Sequence, residues 1–116
     1  MNRRAFGSEG ERAACDYLRK RGWTIVETNV RRGRGEIDIV ARRRDLTAFV
    51  EVKRRSSLRY GQPAEAVNWE KRRRIVGAAA LYMQENNIEK VRFDVIEILP
   101  DEIRHIESAF DATDLF

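Results

Sequence analysis

The chain has 116 residues, a length that fits one folded domain spanning residues 1–116 and needing no disulfide. It contains one cysteine and one histidine, which excludes an internal disulfide and leaves too few ligands for a Cys/His zinc site. No apolar run approaches the ~20 residues that span a bilayer, and the start lacks an apolar leader. The sequence therefore predicts a cytoplasmic protein with no membrane partner.

The chain is basic, with a formal net charge of +4 and a sequence pI of about 9.6. Of its 23 basic residues, 19 are arginine, which pairs bidentately with phosphate and stacks on bases. This balance favours nucleic acid as a partner. The competing interpretation is that these side chains only solvate the surface, and a charge of this size does not decide between the two.

The first predicted element is a helix over residues 9–21, ended by Gly22. Ser8 is a good N-cap residue, and Glu11 stands three residues later, as in a capping box. Cys15 lies in this amphipathic segment, where a buried packing role is expected. Residues 23–30 then have the pattern of an extended strand.

A basic, glycine-containing turn at residues 31–36 leads into a second predicted strand. Its side chains alternate between two faces, Glu36, Asp38 and Val40 on one and Ile37, Ile39 and Ala41 on the other. After a polar turn at residues 42–45, a third strand over residues 46–53 places Phe49, Glu51 and Lys53 on one face. The short connection predicts an antiparallel hairpin.

The second half of the chain begins with a basic loop at residues 54–63. A helix is predicted from an Asn68 cap to about residue 86, with Lys71 on its otherwise apolar face. Strands over residues 91–99 and 103–106 complete the order α-β-β-β-α-β-β. The predicted fold class is α/β, a mixed central sheet flanked by helices.

Asp38 and Glu51 are the residues that carry chemistry in this pattern. Two carboxylates on paired strands can share one metal ion, and the Val52 carbonyl can add a third oxygen. Hard oxygen ligands favour Mg²⁺, with Mn²⁺ as a substitute, and Mg²⁺ assists phosphodiester hydrolysis. A surface salt bridge is the ordinary alternative, but Glu51 and Lys53 interrupt an apolar run, where buried charges need a reason.

Lys53 follows Glu51 by two residues and is expected to project to the same side of the strand. There it can hold the attacking water or neutralise charge in the transition state. Whether it also acts as the general base stays open, because neighbouring carboxylates favour its charged form while burial and a dication favour its neutral form.

Asp38, a thirteen-residue step to Glu51 and then the tripeptide E-V-K resemble the PD-(D/E)xK signature of the restriction-endonuclease-like fold. Six ordered segments extend the resemblance over nearly the whole chain: GERAACDYL, GEIDIVAR, FVEVKRR, GQPAEAV, KRRRI and RFDVI. Together they resemble the YraN-like family of uncharacterised bacterial proteins, which is distantly similar to archaeal Holliday-junction resolvases. The position of the signature proline is Ile37 here.

This resemblance implies a nuclease in which Asp38 and Glu51 bind metal and Lys53 is the motif lysine. It also implies that Glu11, in an early helical Glu-Arg pair with Arg12, completes the acidic cluster, although Glu11 can equally be the capping-box residue. Glu36 is either a supporting acid or a salt-bridge partner. The resolvases further suggest branched or structured DNA as substrate and a homodimer.

Several basic residues flank the carboxylate strands and can frame a phosphate groove. The candidates for nucleic-acid binding are Arg31, Arg34, Arg54, Arg55 and Lys71. Tyr60 in the basic loop can stack on a base or simply pack.

Two further classes of function remain beside a Mg²⁺-dependent endonuclease. One is a nucleic-acid-binding module of the same fold with little hydrolytic activity. The other is a protein that becomes active only with a repair or recombination partner. The complete set of polar residues favours the enzyme.

Overall fold

The computed structural model describes residues 3–55 and 68–112, with side chains described from residue 9 onward. Seven elements lie in this part of the chain, in the predicted order. The helices are α1 (Arg3–Lys20) and α2 (Trp69–Asn86), and the strands are β1 (Thr24–Arg32), β2 (Gly35–Arg43), β3 (Leu46–Arg54), β4 (Val91–Ile98) and β5 (Ile103–Phe110).

The five strands form one mixed sheet in the order β1-β2-β3-β4-β5. Neighbouring strands run antiparallel except β3 and β4, which are parallel. A parallel neighbour requires a crossover connection, and α2 lies in the segment that joins β3 to β4. The predicted mixed sheet flanked by helices is confirmed.

The two faces of the sheet carry separate apolar cores. One core joins Ala14 and Leu18 of α1 to Ile39 and Val50 of the sheet. The other joins α2 to the opposite face and contains Val30, Ile37, Val40, Phe49, Ile75, Ala79, Tyr82 and Val95. Cys15 is buried on the α1 side, and burial raises the pKa of its thiol, in line with the predicted packing role.

Four details of the predicted elements are corrected. Helix α1 begins at Arg3 rather than near residue 9, so position 8 lies within the helix and a capping box with Glu11 is excluded. Strand β2 runs on through Arg43, which shortens the predicted turn, and β5 extends to Phe110. Ile37 packs in the same core as Val40, so strict alternation of faces does not hold at the start of β2, where pairing with β3 has ended and only pairing with β1 continues.

Helix α2 agrees closely with the sequence pattern. Asn68 is the N-cap, and its side-chain oxygen accepts a hydrogen bond from the Lys71 backbone N–H at 2.9 Å. At its other end, Asn87 adopts the left-handed conformation and its N–H bonds to the Met83 carbonyl. The helix also lies very close to the β1–β2 turn, because a Cβ at Gly35 would collide with the Arg74 carbonyl oxygen.

No helix in the two described ranges is long and apolar enough to cross a membrane.

Candidate active site

The candidate site lies where β2 and β3 separate. Their pairing runs from Arg43 opposite Leu46 to Ile39 opposite Val50, and there it stops. Beyond that point β2 remains paired with β1, and β3 remains paired with β4. The next residues of the interrupted ladder are Asp38 and Glu51. The two predicted metal ligands therefore stand at the opening between two strands.

Asp38 itself helps to end the ladder. Its Oδ2 accepts a hydrogen bond from the Val52 backbone N–H at 2.8 Å, the position that a backbone carbonyl would otherwise fill. A side-chain acceptor in the ladder holds the carboxyl group in place between the strands. Burial raises the pKa of Asp38 to about 8, with a further contribution from the Glu51 carboxylate, while the Val52 N–H opposes the rise.

Glu51 is the more deeply buried of the pair, with only 5% of its side chain exposed. Asp38 hydrogen-bonds to it, and two ammonium groups approach its Oε1. Lys71 Nζ lies 2.6 Å away and Lys53 Nζ 3.9 Å away. Two acids and two lysines therefore share one small, poorly solvated volume.

The two lysines are affected in opposite directions. Burial lowers the pKa of Lys53, and the neighbouring Lys71 ammonium lowers it further. Burial also disfavours the charged form of Lys71, but hydrogen bonds to Glu51 and Lys53 outweigh it and raise the pKa of Lys71. Lys71 is thus held as the cation of the group, and Lys53 is the lysine that gives up a proton more readily.

Glu11 reaches the same place from α1. It lines a cavity together with Asp38, Glu51 and Lys53, and its Oε2 accepts a hydrogen bond from Asn29 Nδ2 at 2.9 Å. Within the described residues, however, no group of three or more His, Cys, Asp or Glu side chains is placed to hold a metal ion. The structure therefore brings Glu11 to the edge of the site without joining it to the carboxylate pair.

A cleft of about 410 Å³ opens from the carboxylate pair between β2 and the first turns of α2. Asp38 and Glu51 form its floor. Its rim is polar and contains side chains of both positive and negative charge. These polar residues are Arg34, Glu36, Asn68, Glu70, Lys71 and Arg74.

The predicted phosphate-binding residues fall in different surroundings. Arg34 lines the cleft and Arg54 lines the cavity beside Glu11, where it lies 3.4 Å from Glu9. Arg31 is highly exposed and lies 3.6 Å from Glu36, which gives Glu36 the salt-bridge role. Lys71 faces the site, as its place on the apolar face of α2 predicted. Tyr60 and the segment 61–67 lie outside the described residues.

Arg55 is placed differently from the expectation. Only 15% of its side chain is exposed, and its guanidinium lies 3.4 Å from the carboxylate of Glu97, which is fully buried. Glu97 stands beside Lys53 in the β3–β4 register, and its second carboxylate oxygen has no hydrogen-bond partner among the described residues. Arg55 is therefore a counter-ion inside the structure. Glu97 was not among the residues predicted from the sequence, although an acid within the apolar run of β4 was a visible signal.

Comparison with known proteins gives the family. Residues 10–98 match the model of the Uncharacterised protein family UPF0102. The chain belongs to this family. A UPF0102 protein of Clostridioides difficile is 45% identical over 114 residues, which cover 95% of this chain and 100% of that protein. A UPF0102 protein of Acetivibrio thermocellus is 52% identical over 100 residues, covering 84% and 77% respectively.

Among solved structures, this UPF0102 chain is similar to Hjc, a Holliday junction resolvase of Archaeoglobus fulgidus. The TM-score is 0.53 with 21% sequence identity, over 84% of this chain and 72% of the resolvase. The likeness shows a shared fold, and with the family match it confirms the resemblance inferred from the six sequence segments.

Proposed function

We propose that this UPF0102 protein is a metal-dependent endonuclease that hydrolyses phosphodiester bonds in DNA, with branched or structured DNA as its substrate. The observation that carries the proposal is the buried pair of Asp38 and Glu51 at the opening of β2 and β3, with Lys53 beside it. The fold shared with a Holliday junction resolvase supports DNA as the substrate class.

The residues present fit a divalent cation. Two carboxyl groups share a hydrogen bond in a volume where burial and mutual repulsion keep one of them protonated near neutral pH. Asp38 and Glu51 would bind Mg²⁺ or Mn²⁺, with the Val52 carbonyl as the third protein ligand that the sequence analysis suggests. Such an ion lowers the pKa of a bound water and neutralises charge that develops on the phosphate.

Lys53 is proposed to act on the reacting water. Its ammonium lies 3.9 Å from Glu51 Oε1, with 27% of the side chain exposed, so it is anchored yet accessible from the cavity that it lines together with Glu11. Burial and Lys71 lower its pKa, which eases removal of a proton from Nζ. A neutral Nζ can accept a proton from water, and a charged one can stabilise the developing oxyanion.

Arg34, Arg54 and the exposed Arg31 are proposed to bind the phosphates that flank the reacting one. Contacts of this type fix the register of the nucleic acid without reading its sequence. A homodimer would place two such sites on the two strands of a branched substrate.

Two observations favour the alternative of a binding module with little activity. Lys71 already neutralises Glu51 at 2.6 Å, and the described residues contain no group of three metal-ligating side chains. In that case the cleft would bind nucleic acid through its basic rim alone, with no requirement for a metal.

The test uses purified protein with labelled linear, flap and four-way junction DNAs, with EDTA, Mg²⁺ or Mn²⁺. Cleavage that requires the metal and disappears in both Asp38→Asn and Glu51→Gln supports the nuclease, and preference for the junction supports the substrate class. Glu36→Gln is the matched control, because Glu36 is an acid at the rim of the same cleft. Salt-sensitive binding without cleavage under any condition would leave the binding module.

A further inference from the structure

The ion pair between Lys71 and Glu51 has a consequence for metal binding. At 2.6 Å it is much shorter than the 3.9 Å approach of Lys53 to the same Oε1 atom. Glu51 is 5% exposed, whereas the Lys71 side chain is 41% exposed. The acid is thus fixed in the interior, and the lysine reaches it from the solvent side and can withdraw along the cleft.

Lys71 is positioned by the start of α2 rather than by a loose loop. Asn68 caps the helix and accepts a hydrogen bond from the Lys71 backbone N–H. The close approach of the Arg74 carbonyl to Gly35 holds the same turns against the β1–β2 connection. The backbone of Lys71 is therefore set, and only its flexible side chain is free to change partners.

The charges within the site favour replacement of the Lys71 ammonium by a divalent cation at Glu51. In the described structure, Lys71 supplies the nearest positive charge to the carboxylate pair. A dication bound at Asp38 and Glu51 would supply two charges at the same oxygens. Like charges repel strongly in a poorly solvated volume, so the ammonium and the dication compete for Glu51.

Building on the proposed function, we propose that Lys71 is a built-in counter-ion of Glu51 that a divalent cation displaces, and that the displaced ammonium then binds a phosphate of the DNA. Lys71 weakens metal binding in the DNA-free protein and strengthens DNA binding only in the metal-loaded protein. Metal and DNA therefore favour one another through this lysine, as linkage requires.

The first experiment titrates Mn²⁺ into the DNA-free protein by calorimetry. Lys71→Met should bind Mn²⁺ about tenfold more tightly than the unmodified protein, because it removes the competing charge and keeps the aliphatic stem. Lys71→Arg keeps the charge and should stay within about threefold. Arg74→Met is the matched control, since Arg74 lines the same cleft but pairs with Glu70 at 2.8 Å. If Lys71→Met fails to fold by circular dichroism, Lys71→Gln replaces it.

The second experiment measures affinity for four-way junction DNA by fluorescence anisotropy, in EDTA and in Ca²⁺, a hard cation that the same oxygens accept. Lys71→Met should match the unmodified protein in EDTA, where Lys71 is engaged by Glu51, and bind about fivefold more weakly in Ca²⁺.

The outcomes separate this proposal from the proposed function. Mn²⁺ binding that is equal or weaker in Lys71→Met overturns the counter-ion role while leaving the nuclease in place. Equal loss of DNA affinity in EDTA and Ca²⁺ also overturns it, since Lys71 would then bind phosphate without exchange. Binding of Mn²⁺ by Lys71→Met alone supports it. Absence of Mn²⁺ binding in every protein, with and without DNA, overturns both.

Discussion

The sheet contains a second buried carboxylate centre, and it differs from the first in almost every respect. Asp94 on β4 is fully buried, and its two oxygens receive two hydrogen bonds from Arg92 at 2.8 Å, one from His105 at 2.7 Å and one from the Ser108 N–H at 3.0 Å. Burial disfavours its charged form, but the hydrogen bonds from His105, Arg92 and Ser108 outweigh it and lower the pKa of Asp94.

Asp38 and Glu51 are buried beside each other instead, and the pKa of Asp38 rises to about 8. At Asp94 both carboxylate oxygens are matched by donors. The group therefore stabilises β5, including the irregular pairing with β4 near Ser108. At Asp38 the one described N–H donor is that of Val52, and it does not offset burial and the neighbouring Glu51 carboxylate. The contrast teaches that burial of an acid does not by itself mark a site, and that an acid buried beside a second acid, with few donors of its own, is the stronger candidate.

The largest expected effect is on turnover, and it distinguishes Lys53, beside Asp38 and Glu51, from Arg92, beside Asp94. Lys53→Met should lower turnover of metal-loaded protein by about a thousandfold, about 4 kcal/mol in the barrier, while Mn²⁺ and DNA affinity change by less than about threefold. Arg92→Met is the matched control, which should lose stability but keep turnover per folded molecule. Single-turnover cleavage and calorimetry measure the two quantities. Equal losses of turnover in both variants would contradict the distinction.

Stability should respond most strongly at Asp94. Asp94→Ala leaves Arg92 and His105 facing an empty position, with only 16% and 6% of their side chains exposed. The free energy of unfolding should fall by about 3–5 kcal/mol, as for other broken buried pairs. Urea denaturation measures it, with Asp101→Ala, an exposed acid after β4, as a control that should change by less than about 0.5 kcal/mol. A small loss of unfolding free energy in Asp94→Ala would show that the hydrogen bonds to Asp94 add little stability, which would contradict the contrast with Asp38.

The pH dependence of stability should have opposite signs at the two centres. Because the pKa of Asp38 is raised to about 8 from 3.8, the folded, metal-free protein keeps a proton that the unfolded chain releases. Its contribution to stability is therefore most favourable below about pH 4 and declines as the pH rises to about 8. The lowered pKa of Asp94 acts in reverse, and its contribution is lost as acid protonates the carboxylate.

Asp38→Asn should accordingly raise the metal-free free energy of unfolding by at least about 2 kcal/mol at pH ~8.5 and change it little at pH ~4. Urea denaturation at a series of pH values with EDTA measures this slope. Asp94→Asn provides the comparison, because its deficit should be greatest near neutral pH. An unchanged slope in Asp38→Asn would mean that Asp38 is ionised without the metal.

The smallest expected effect concerns the helix that faces the open centre. Asn68→Ala removes the cap of α2 and should lower the free energy of unfolding by about 1 kcal/mol. Asn68→Ser keeps a capping oxygen and should lose much less. Thermal unfolding at fixed pH measures both. Equal losses of stability in the two variants would show that Asn68 stabilises the protein through its contacts in the cleft and not as the helix cap.

Much of the fold was readable from the sequence because its signals are local. Alternating apolar residues fixed β2, β3 and β4, and the Asn68 cap and apolar stripe fixed α2 almost to the residue. The motif Asp38, Glu51 and Lys53 was also visible, since a period of two places Glu51 and Lys53 on one face. The predicted start of α1 was wrong. Ser8 is a residue type that often caps helices, but such a residue can also lie inside a helix that begins earlier.

What only the tertiary structure decided depends on contacts between distant segments. The strand pairing stops at Ile39 and Val50 because the Asp38 side chain replaces a backbone acceptor, which no pattern of hydrophobicity reveals. Arg55 turned inward because Glu97, 42 residues later, lies on the neighbouring parallel strand. The sequence by itself determined which residues are acidic, basic and apolar on each face; packing of α2 against β2 determined which charges meet, because burial and distance set their energies.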